Sequence, residues 1–204
     1  MTLTGTPSAA PASVPTRRHT RGLVIGAAVA LLLATGGAIG GTVYFDSVTV
    51  AESRVGYPVV SYDALPGPVA QTFVAAVDPD FFEDDAALLT RRYAVLAAGA
   101  DSESGLRTWV MARKLDSEYT RTEILERYLG RADFGRGAVG LVAAAQTYFQ
   151  KPATELTVPE AAVLAVQLMP GSPEPTAGWN QVLDTMVDRG WLTRTDRRSF
   201  THPG

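Results

Sequence analysis

The chain has 204 residues, 46% of them hydrophobic and 19% charged, which is enough for one globular domain and an accessory segment. It contains no cysteine and only two histidines, His19 and His202, so disulfide frameworks, thiolate metal sites and a Ser-His-Asp triad lack their residues, and neither a metal nor a cofactor is expected. All 21 acids lie after Phe45 with all but three of the 18 bases, leaving that part net acidic and making nucleic acid an improbable partner.

Residues 1–21 begin with "MTLTGTPSAAPASVPT", a Pro, Ser, Thr and Ala tract without periodicity, and read as a disordered tail. The next 24 residues, Gly22 to Phe45, carry no charge. At about 1.5 Å per residue a helix of this length crosses a hydrocarbon core of about 30 Å. Arg17, Arg18 and Arg21 precede it, and Asp46 and Glu52 follow. The positive-inside rule then predicts a single-pass plasma-membrane protein with its N-terminus in the cytoplasm and the remainder outside. A cleaved signal peptide is the competing reading, although its apolar region is usually shorter. Gly36, Gly37, Gly40 and Gly41 form small-xxx-small patterns suited to helix packing. Residues 46–65 read as an extended linker or short β element, ending at Pro66-Gly67-Pro68.

From 66 to 204 the pattern is helical and no long alternating run occurs, so the fold class expected is all-α. Helices are expected at Val69–Val77, Ala86–Ala98 and Gly105–Leu115. Thr120 with Glu123, and Thr157 with Glu160, are capping-box pairs that start two more. Gly130 is placed to close the first of these, and Pro159 sits where a missing N–H costs little. "WNQVLDTMVDRG" is amphipathic and stops at Gly190. The stretch "AAVDPDFFEDD", Ala75 to Asp85, places five carboxylates around Phe81 and Phe82. Its plainest reading is a helix stop at Asp78-Pro79, an acidic helix start at Glu83 to Asp85, and two aromatic anchors.

Ser117 to Pro175 resembles the C-terminal half of the peptidoglycan glycosyltransferase domain of class A penicillin-binding proteins. Glu123-Ile124-Leu125-Glu126, Tyr128-Leu129, Phe134-Gly135, Gly137-Ala138, Gly140, Tyr148-Phe149, Lys151, Leu156-Thr157 and Glu160-Ala161-Ala162 fall in the order of that family's blocks. Phe134-Gly135 and Gly137-Ala138 fall in the family's F-G-x-G-A block. Residues 66–82 resemble its opening motif, an apolar helix running into E-D-x-x-F. The resemblance implies a lysozyme-like helical transglycosylase domain over 66–204. Its partners would be a lipid-linked peptidoglycan precursor or glycan strand, the membrane and other cell-wall synthesis proteins.

In that family an acceptor sugar hydroxyl attacks an anomeric carbon and expels a lipid pyrophosphate. The reaction needs a general base, and cations for the leaving group. The position of the family's base glutamate is held by Val77, which cannot accept a proton. Asp78 and Asp80 are the candidate catalytic substitutes, although a misplacement of about 1 Å can cost about 100-fold in rate. Arg121, Arg92 and Glu126 are the candidate substrate-binding residues. The segment Gly99 to Tyr119 is shorter than the family's. In either alignment its second glutamate is missing, with Trp109 and Val110 or Thr108 in the relevant places. Gly178 and Trp179 replace two arginines near the end.

Retained positions mostly pack or cap helices, whereas lost ones carried charge. The first expectation is therefore a membrane-anchored, non-catalytic relative that binds lipid-linked precursor, glycan or a synthesis partner. An active polymerase of lipid-linked precursor with rearranged catalytic residues is the alternative. A hydrolase using Asp78 with Glu83 is a remoter third. No long region follows the helical part, so a second, transpeptidase activity is not expected.

Overall fold

The computed structural model describes residues 41–48, 57–84, 87–98, 105–171 and 173–203. The chain divides into two units, residues 1–47 and 48–204. In the first, residues 41–47 are helical with Val43, Tyr44 and Phe45 exposed. The expected membrane span 22–45 lies, up to residue 40, outside the described residues. Among the described residues no helix is long and apolar enough to cross a membrane.

In the second unit the described residues form helices joined by turns, with one isolated β-bridge between Asp133 and Val139. The helices are α1 (Gly67–Val77), α2 (Leu88–Ala98), α3 (Leu106–Glu118), α4 (Arg121–Leu129), α5 (Leu141–Phe149), α6 (Val158–Val166), α7 (Pro175–Asp188) and α8 (Arg194–Ser199). Both capping boxes form, at Thr120 with Glu123 and at Thr157 with Glu160. Gly130 closes α4, and Gly190, at φ +72, follows the end of α7. The helix bounds differ from expectation at loose ends. α1 starts two residues earlier, at Gly67, because Pro68 fits the first turn. α3 runs on to Glu118 because nothing before Tyr119 breaks it.

α1 is the axis of the fold. Val69, Ala70 and every residue from Thr72 to Val77 are buried, so it is covered nearly all round rather than along one stripe. It packs on α6 and α7, while α2 packs on α3 and α4. Phe81 is fully buried after α1, and Phe82 stays on the surface with its ring 6.4 Å from Tyr62. The stretch 57–60 is irregular, and Tyr62–Ala64 is a single 3-10 turn. This segment is tied to α4 by Glu126, whose carboxylate accepts from the Tyr62 N–H at 2.6 Å and the Ser61 hydroxyl at 3.2 Å. Gly140, at φ +85, starts α5 where an added Cβ would stand 2.7 Å from the Gly130 carbonyl oxygen. Only glycine fits that crossing.

Candidate functional site

The site follows from the end of α1. Val77 is the last residue of that helix and is 4% exposed, packed as part of the core. Asp78 ends the helix and is 8% exposed. Its Oδ2 accepts the Leu89 N–H at 3.0 Å, which satisfies one of the unpaired donors of the first turn of α2. One carboxylate thus joins the end of α1 to the start of α2. Burial pushes the Asp78 carboxyl above its usual range, the Leu89 N–H pulls it down, and the charges of Asp80 and Asp84 push it up again. The net direction is upward, because burial is the largest influence.

The other candidates also have internal partners. Asp80 forms an ion pair with Arg189 at the end of α7, and Glu83 stands 3.8 Å from the same guanidinium. Arg121 pairs with Asp116 at 2.9 Å, donates to the Thr90 hydroxyl at 3.1 Å and to the Asp84 carbonyl, and lies 5.3 Å over the Phe81 ring. Arg92 donates to the Leu168 carbonyl at 2.8 Å and lines an open groove of about 210 Å³ with Tyr128, Asp133 and Gln167. The structure therefore gathers Asp78, Asp80 and Arg121 around the turn 78–84. Arg92 lies in the groove, and Glu126 holds the segment before α1.

The remaining positions singled out by sequence are also occupied. Thr108 is buried, and Trp109 is exposed on α3. A Cβ added to Gly178 would meet Val166 and Pro173 at 2.9 Å. Trp179 is buried, donates to the Pro159 carbonyl at 2.9 Å and packs against His202 and Arg197. Sequence reasoning missed the Asp80–Arg189 pair and the Asp78 cap on α2. The first joins residues 109 apart, and no local pattern announces it.

A second feature that sequence did not single out is the turn after Phe134. Gly135 at φ +75, Arg136 at φ +54 and Gly137 at φ +75 are successive positive-φ residues, and the last two are the centre of a turn with the type I′ pattern, closed by the Ala138 N–H on the Gly135 carbonyl at 2.9 Å. An arginine in that conformation costs roughly 1–2 kcal/mol relative to right-handed backbone.

Helices wrapped around a buried axial helix, with a carboxylate at its end, define a class before they define a relative. Residues 88–188 match the model of the transglycosylase family, and the chain carries a transglycosylase domain of the kind found in class A penicillin-binding proteins. It is 31% identical over 182 residues to penicillin-binding protein 1A of Mycolicibacterium smegmatis, covering 71% of this chain and 23% of that protein. With penicillin-binding protein 1A of Mycobacterium tuberculosis it shares 34% identity over 175 residues, covering 77% and 21%. Penicillin-binding protein 1F of Bacillus subtilis is 31% identical over 132 residues, covering 52% and 18%. The chain thus spans between a fifth and a quarter of the length of the two penicillin-binding proteins 1A.

Proposed function

We propose that this is a membrane-anchored, peptidoglycan glycosyltransferase-like protein of cell-wall synthesis that keeps the transglycosylase scaffold without its glycosyl transfer and binds lipid-linked precursor. The observation that carries the reading is Val77, a hydrocarbon side chain sealed into the core where the resemblance calls for a base. The nearest carboxylates do not stand idle beside it. Asp78 holds the start of α2, and Asp80 is neutralised by Arg189. The two arginine positions support the same conclusion, because Gly178 has no room for a side chain and Trp179 has become core. Membrane anchoring rests on the uncharged run 22–45 and the three arginines before it.

Binding is supported by what remains open. The groove walled by Arg92, Tyr128, Asp133 and Gln167 offers a cation, an aromatic ring and hydrogen-bonding groups to a phosphorylated sugar. A glycan strand or another cell-wall synthesis protein would be alternative occupants. One observation favours a second reading, an active polymerase with Asp78 as base: its carboxyl is held above the ordinary range, the direction in which a general base is tuned. Its commitment to the Leu89 N–H weighs against that role. The test is a titration of the full chain in detergent with fluorescent lipid-linked disaccharide. Saturable binding with the ligand recovered unpolymerised is expected. Absence of saturable binding would overturn the precursor-binding part, and recovery of longer glycan the non-catalytic part.

A further inference from the structure

A groove of about 320 Å³ opens between the Phe134–Gly140 turn, the end of α5, α6 and the segment after Phe200. That volume is at the lower end of the range for small-ligand sites. Phe149, Val163, Val166 and Pro175 make its walls apolar, and Arg136, Gln167 and His202 supply polar groups. None of the five candidate site residues discussed above lines it.

Arg136 is the anchor. Its guanidinium carbon lies 4.4 Å from the centre of the Tyr148 ring, which is fixed by donation of the Tyr148 hydroxyl to the Phe134 carbonyl at 2.6 Å. Stacking uses the face of the cation and leaves its N–H groups, which point outward in the plane, for a planar oxyanion. Among the described residues no carboxylate pairs with it. Its backbone keeps a positive φ that glycine would adopt without cost, and the F-G-x-G-A pattern makes no demand for arginine there. Strained backbone of this kind concentrates at ligand clamps.

We propose that this groove binds a short peptide by its free C-terminal carboxylate, held bidentately by Arg136, with the terminal side chains against the apolar walls. A carboxylate suits the site better than a phosphate. One guanidinium offers one forked pair of donors, which matches the two oxygens of a carboxylate. A sugar ring is disfavoured because the guanidinium covers a face of Tyr148 on which it would stack. The inference does not rest on the proposed loss of glycosyl transfer; Gln167 alone lines both this groove and that of Arg92.

The test titrates the full chain in detergent with N-acetyl-trialanine and, separately, with its C-terminal amide, by calorimetry. The free acid binds saturably, and the amide binds at least about tenfold more weakly, as expected for loss of one charge-assisted pair. Arg136→Gly weakens the acid by a similar factor while leaving the melting temperature unchanged or raised, which separates binding from folding. Arg136→Lys, which keeps the charge without the fork, falls between the two. Equal binding of acid and amide, acid binding by Arg136→Gly that matches the parent chain, or no saturation up to about 10 mM would overturn the proposal.

Discussion

Asp78 shows how a residue that reads as chemistry becomes structure once its neighbours are known. In sequence it is the carboxylate nearest the position where the resemblance expects a base, whereas in space it receives the first turn of α2. Removing that acceptor by Asp78→Ala leaves the Leu89 N–H buried and unpaired, with an expected loss of about 1–3 kcal/mol in chemical denaturation. Asp78→Asn retains an acceptor and isolates the charge. Because the folded carboxyl keeps its proton to higher pH than the unfolded one, the folded state binds more protons between the two values. Stability therefore falls as pH rises from the ordinary aspartate value of about 3.9 through the raised folded one. The parent chain is expected to lose melting temperature over that window relative to Asp78→Asn. Parallel curves would contradict this.

At the scale of elements, the sequence was most legible where signals are local. The two capping boxes needed only residues three apart, and both form. α1 was legible as an apolar helix, and its burial all round follows from having no polar stripe. The site was legible only by resemblance, since Val77 gains meaning from a family motif. What the sequence could not show was long-range. Arg189 reaches Asp80 from α7, and Gly178 of α7 faces Val166 at the end of α6. That last contact carries a prediction. Gly178→Arg is expected to destabilise the fold by about 1–3 kcal/mol through overpacking between α6 and α7. Denaturant midpoints equal to those of the parent chain would show that the space is open after all.

For the whole molecule, the proposed reading separates retained and lost features by physical role. Caps, crossing glycines and core residues hold a transglycosylase domain together, while in the proposed reading the place of the base falls to the buried hydrocarbon of Val77. A fold survives such a change because its stability resides in packing, whereas proton transfer requires one group at one distance. The acidic turn 78–84 is thus the hinge pin between α1, α2 and α7, Asp78 through its acceptor oxygen and Asp80 through its ion pair. The measurement that bears most directly on this is prolonged incubation of the full chain in vesicles with lipid-linked disaccharide, followed by separation of glycan by length, beside Asp78→Asn and Asp80→Asn. No polymer is expected from any of the three. Glycan strands made by the parent chain and abolished by either single substitution would show that the reaction persists and that an acid of this turn drives it.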